Sequence, residues 1–140
     1  MDDNLKWSTH IQLLVKRLSK ICFALRIFQQ IMHLEIVRSL YYAYFHSALI
    51  HGIIFWGGSP KSNQVFKNKK RAIRIILSMR FSCRQLFKKL HILPLPNVYI
   101  AETLMYLEKN INCYPTNSQV HTYNIRRKNN LHTIPHSTSL

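Results

Sequence analysis

Lys67, Lys70, Arg71 and Arg74 are the residues whose spacing implies chemistry most directly. Set three and four apart, they fall within two turns of one helix and make a single basic edge. Such an edge touches phosphate oxygens, which gives affinity for a nucleic-acid backbone with little sequence preference. The four belong to a longer run, Lys61 to Lys89, that holds ten basic residues (Lys61, Lys67, Lys69, Lys70, Arg71, Arg74, Arg80, Arg84, Lys88 and Lys89) and no acid. No Asp or Glu stands between Glu35 and Glu102 to offset it. The competing reading is a plain solvated face.

Other reactive types are weaker candidates. Asp2 and Asp3 are adjacent carboxylates of the kind that two-metal phosphoryl chemistry uses, but no third acid lies near them in sequence. Helix-start electrostatics is the simpler role for them. Tyr41, Tyr42, Tyr44, Phe45, Phe55 and Trp56 could stack on bases, yet at helical spacing aromatics belong more often to a core. Trp56, beside Gly57 and Gly58, is the aromatic best placed to be an exception. Cys83 with His91 and Cys113 with His121 share a spacing, but neither is a C-x2-4-C pair, so zinc is not expected. No Ser-His-Asp arrangement or P-loop is present, so neither a catalytic residue nor a cofactor is assigned.

Composition supports a polyanionic partner. Twenty Lys and Arg face five Asp and Glu, a formal charge of +15. Charge of that size repels itself in a compact state, and each phosphate it neutralises releases counterions. Anionic membrane surface is the second candidate partner. The longest apolar run, Ala48 to Trp56, is broken by His51 and Gly52 and is too short to span a bilayer, which takes about 20 apolar residues. Cys22, Cys83 and Cys113 are odd in number, and Met1 is followed by two acids instead of a basic signal region. Free thiols in a reducing, intracellular setting (nucleus or cytoplasm) are expected, without secretion.

The elements that must hold the basic edge are helices. Ile11, Leu14, Val15, Leu18, Ile21, Cys22, Leu25 and Phe28 repeat at three-four spacing, with Ser8 or Thr9 as cap and Trp7 as staple. A second helix fits His33 to Leu49, apolar nearly all round and therefore central, and continues to a stop at Gly57-Gly58-Ser59-Pro60. The third runs from Ser62 to Met79, with Val65, Phe66, Lys69, Ala72, Ile73, Ile76 and Leu77 at helical spacing. Ser82 caps a fourth whose inner face is Cys83, Leu86, Phe87 and Leu90, and a fifth begins near Asn97. From Asn112 the periodicity fades into Pro, Asn, Ser, Thr and His. The expected fold is a small irregular all-α bundle over 1–111 with a flexible, disordered tail over 112–140.

An ordered series of segments resembles the region that follows the palm in non-LTR retrotransposon reverse transcriptases, jockey-like elements in particular. Asp2-Asp3-Asn4-Leu5-Lys6-Trp7-Ser8-Thr9-His10-Ile11 is similar to the family's IDxxLxWxxHI run. Tyr41 to Ser47 and His51 to Gly57 look like YxAxxxS and YGxxxWG, with His51 where Tyr is usual. Lys69-Lys70-Arg71-Ala72-Ile73-Arg74-Ile75-Ile76 resembles QKRAIRII, and Leu90 to Pro96 resembles the LxILPLPxLY turn. His121-Thr122-Tyr123-Asn124-Ile125-Arg126 is similar to HxYNTR. The resemblance implies a thumb and post-thumb region gripping a template-primer duplex or hybrid beside a palm. The paired aspartates of that family's palm have no counterpart here, so the expectation is a fragment or remnant without polymerase activity. The rival expectation is a scaffold whose apolar faces dock on a palm domain or on another copy, with the charge incidental.

Overall fold

The computed structural model of the chain describes residues 7–79, 82–123 and 126–132, and among them the architecture is all-α. Packing divides the chain into two units, 1–103 and 104–140, so the division lies between Thr103 and Leu104, inside a helix that the apolar pattern carries further.

The first unit is built on α1 (Ser8–Ile31) and α5 (Ser62–Leu77), which make its most extensive helix pairing. The α1 stripe reads out as expected, with Ile11, Leu14, Leu18, Cys22 and Leu25 buried. Its start differs from expectation. Trp7 holds the N-cap position and no side chain caps the helix, so neither Ser8 nor Thr9 acts as cap. Trp7 packs against the core, stacks on Phe55 with ring centroids 5.8 Å apart, and meets His10 edge-on.

α2 (Leu34–Leu40) passes without a break into a π turn, Tyr41–His46, and then α3 (Ser47–Ile50). The Ser47 N–H reaches back five residues to Tyr42. A π turn winds less per residue than an α turn, so residues beyond Tyr41 lag behind the α-helical register. Phe45 is thereby drawn under Tyr41, stacked at 5.2 Å, while Tyr44 swings out to 62% exposure. Helical spacing alone puts both Tyr44 and Phe45 on the apolar face; the π turn keeps Phe45 in the core and turns Tyr44 out.

The helix does not run on to Gly58. Gly52 takes a left-handed φ of 67° and restarts the chain as α4 (Ile53–Trp56). Gly57 and Gly58 then turn the chain toward α5 beneath Tyr99. A Cβ on Gly57 would come within 2.6 Å of the Ile53 carbonyl and would also strike the Tyr99 ring. Gly57→Ala should therefore cost about 1–3 kcal/mol of unfolding free energy, as overpacking of a closed site does. Urea titration followed by circular dichroism checks this, and an unchanged midpoint would refute the close approach.

α6 (Cys83–Leu90) begins after Ser82, which occupies the N-cap position without a capping side-chain bond. Leu86, Phe87 and Leu90 are buried and Cys83 is half-buried. α7 (Leu95–Lys109) starts ahead of Asn97, with Pro96 in its first turn, where a missing N–H costs nothing.

In the second unit, none of the described residues is buried. Its order is local: a 3-10 turn at Ile111–Cys113, α8 (Asn117–Val120), and an isolated antiparallel bridge between Thr116 and Leu131. The Asn117 and Ser118 N–H groups donate to Asn130 and Lys128 at 2.9 Å each, and the Gln119 side chain accepts from the Thr116 N–H. The low apolar content from Asn112 on is reflected in the lack of any core there.

Candidate nucleic-acid interface

On an α-helix at about 100° per residue, Lys67, Lys70, Arg71 and Arg74 share an arc of about 100°, while Lys69 falls on the far side amid Val65, Ala72, Ile73 and Ile76. The structure follows that division. Lys67, Arg71 and Arg74 are exposed and Lys70 is half-buried. Lys70 leans on its own helix, with Nζ 4.2 Å from the centroid of the Phe66 ring, a cation–π contact that partly commits its charge.

Asn68 of α5 bonds to the Val15–Cys22 stretch of α1, and Arg71, Arg74 and Ile75 farther along α5 share a pocket with Arg26 farther along α1, so the two helices run in the same direction. Asn68 donates to the Val15 carbonyl at 3.2 Å and to the Ser19 hydroxyl at 3.4 Å, and the Cys22 thiol points back at the Asn68 carbonyl at 3.8 Å. One turn beyond Cys22 this geometry brings Arg26 of α1 up beside the basic edge. Arg26, Arg71, Arg74, Ile75, Ser78 and Met79 line an open pocket of about 290 Å3, and among the described residues no carboxylate stands in its wall. The same convergence acts on Cys22: burial pushes its thiol up to about 11, and the Arg71 and Arg26 guanidiniums pull the other way.

Arg26 was not among the residues that spacing singled out, because it stands 45 positions before Arg71 (71 − 26) and only tertiary packing joins them. Lys69 is the opposite case. It belongs to the basic run by sequence but is fully buried, so it cannot touch phosphate. Arg84 and Lys88 line a separate hollow of about 610 Å3 with Phe87, Ile92, Leu93 and Pro94. Arg80, Asp2 and Asp3 lie outside the described residues.

Trp56 is not an available stacking surface. It is completely buried, and its indole N–H donates to the His51 carbonyl at 3.2 Å. Tyr41 and Phe45 are likewise core, whereas Phe55 and Tyr44 are open at 68% and 62%. Among the described residues no helix is long and apolar enough to cross a membrane. Comparison with protein families, curated proteins and solved structures gave no match.

Proposed function

We propose that this chain is a non-catalytic helical module that grips the sugar-phosphate backbone of RNA or DNA, a template-primer duplex or hybrid being the natural form. The observation that carries this is the joining of Arg26 to Arg71 and Arg74 in one pocket that no carboxylate of the described residues lines, with Lys67 exposed on the same edge of α5. Guanidiniums present forked donors suited to phosphate, and three from two helices exceed what chance solvation of one face supplies. The ordered resemblance to the post-palm region of non-LTR reverse transcriptases supports the same reading. On this reading the chain is a fragment or remnant of an RNA-directed DNA polymerase from a mobile element, acting beside a palm. The free cysteines fit an intracellular setting, nuclear or cytoplasmic.

The direct test is fluorescence anisotropy of labelled RNA–DNA hybrid and DNA duplex at low salt. Both should bind with similar affinity and weaken steeply as salt rises. Failure to bind either at low salt removes the proposal. In parallel, the purified chain should extend no primer with Mg²⁺ or Mn²⁺, and template-dependent incorporation intrinsic to it would overturn the non-catalytic part.

One observation favours the docking alternative. Phe23, Ile27 and Ile31 form an outward stripe on α1, exposed at 65%, 43% and 76%. Near it, Lys20, Ile21, Ala24, Leu25, Phe28, Leu40 and Tyr44 enclose an apolar hollow of about 350 Å3. Exposed apolar area of this kind marks protein contact surfaces. Self-association that strengthens at high salt would support this reading, since hydrophobic docking is not weakened by screening.

A further inference from the structure

The basic pocket differs from a backbone track in how its charge is gathered. A duplex backbone offers single negative charges strung out along each strand, which a row of cations along one helix matches. Arg26, Arg71 and Arg74 instead converge on one pocket from two helices. Among the described residues no acid lines it, and Ser78 is one of the lining residues. The α5 carbonyls that end there already accept hydrogen bonds: Ser78 N–H donates to Ile75 at 3.1 Å and Met79 N–H to Arg74 at 3.3 Å. Three cations exceed the charge of one phosphodiester. A phosphate monoester carries about −1.5 to −2 at pH 7 and has three terminal oxygens, enough for all three guanidiniums.

We propose that the Arg26–Arg71–Arg74 pocket receives the terminal phosphate of a nucleic-acid strand, so that the module holds a phosphorylated strand end in preference to continuous backbone. This rests on the nucleic-acid reading above and deepens it. Lys67 and the half-committed Lys70 lie along α5 before the pocket and take the diesters adjoining that end. Arg26 is then the residue that discriminates an end from a continuous strand, because it alone reaches the pocket from α1.

The test uses the full chain and matched oligonucleotides, single-stranded and in hybrid, that carry a 5′-phosphate, a 3′-phosphate or only hydroxyl ends. The terminal phosphate should tighten binding by about tenfold, the scale of one charge-assisted contact, and comparing the 5′ and 3′ arms identifies the end. Arg26→Gln should abolish that increment, leaving the phosphorylated and hydroxyl forms equal in affinity. Lys67→Gln should weaken both forms alike. The increment should also fade as pH falls through about 6, where the monoester takes up its second proton. Inorganic phosphate should compete for the increment alone. Circular dichroism of Arg26→Gln guards against misfolding, and Arg26→Lys, which keeps the charge but loses the fork, should recover part of the increment. Equal affinity for phosphorylated and hydroxyl ends overturns the inference while the backbone-gripping function stands. Absence of binding to every form overturns both.

Discussion

Replacing Lys69 by Met should stabilise the protein by roughly 3 kcal/mol at neutral pH. Lys69 is wholly buried, and its Nζ has no hydrogen-bond partner. Burial lowers its pKa from 10.5 to about 8. A shift of that size corresponds to roughly 3 kcal/mol of free energy, at about 1.4 kcal/mol per pH unit. The sign follows from which state holds the proton more tightly. Between about pH 8 and 10.5 the unfolded chain keeps Lys69 protonated while the folded chain has released the proton. Stability must then rise with pH across that window, and below about pH 8 the penalty is present in full. Met keeps the unbranched stem and removes the amine, so the rise should vanish in the variant. Urea unfolding at pH 7, 8, 9 and 10 measures this directly. A destabilised variant, or an unchanged slope above pH 8, would show that the amine finds a partner after all.

His46 supplies an independent readout. Its pKa is lowered, first by burial and then by the Lys69 charge. Its Nδ1 and the Tyr41 hydroxyl are, like Lys69 Nζ, buried without partners. Burial also raises the Tyr41 pKa, with Tyr42 and Cys22 adding to the rise. Removing the Lys69 charge should move the His46 titration upward, toward the ordinary histidine value, in an NMR pH series. A His46 midpoint that does not move would separate it from Lys69. Because the folded state disfavours charged His46, stability should also fall as pH drops through the ordinary histidine range, in parent and variant alike. The orphan groups of Tyr41 and His46, at the two ends of the π turn, cost the fold stability.

Where a residue's partners lie within its own helix, its environment was legible in the sequence. The burial of Lys69 amid Val65, Ala72, Ile73 and Ile76 is contained in the three-four spacing, and so is the exposed arc that opposes it. The stripes of α1 and α6 are legible for the same reason. Legibility ends where geometry depends on distant chain. The change of register at Tyr41–His46 leaves no mark in a 3.6 period, because Tyr44 and Phe45 are both large aromatics and only packing selects between them. Gly52 reads as one glycine among three, but its left-handed φ makes it the hinge between α3 and α4. Trp56 looked free because it adjoins Gly57 and Gly58, yet the turn they make is closed over by Tyr99. Arg26 was hidden among the solvated cations of α1, with no local signal to mark it.

The salt dependence of nucleic-acid binding carries the second large effect, and the geometry sets its size. Each phosphate contact contributes about 0.9 to the slope of log affinity against log salt on duplex DNA. Four contacts from Lys67, Lys70, Arg71 and Arg74 would give about 3.6, so the quadruple change to Gln would flatten the slope by that much. Lys70 is held over the Phe66 ring at 4.2 Å, so its contribution should be smaller than the others. The quadruple variant should accordingly lose nearer 2.7 than 3.6, and Lys70→Gln alone should change the slope least. Adding Arg26→Gln to the quadruple variant should remove about 0.9 more if that guanidinium also meets phosphate. Gln has helix propensity close to that of Lys and Arg, so the helix should survive, which circular dichroism confirms or denies. Lys69 must be left in place throughout, because changing it would alter stability and confuse the comparison. A face that reads bases would instead lose discrimination between sequences while keeping most of its salt slope. A quadruple variant that stays helical, binds as tightly as the parent and keeps the same slope leaves the basic edge as solvated surface. The apolar stripe of Phe23, Ile27 and Ile31 would then become the better guide to what this module touches.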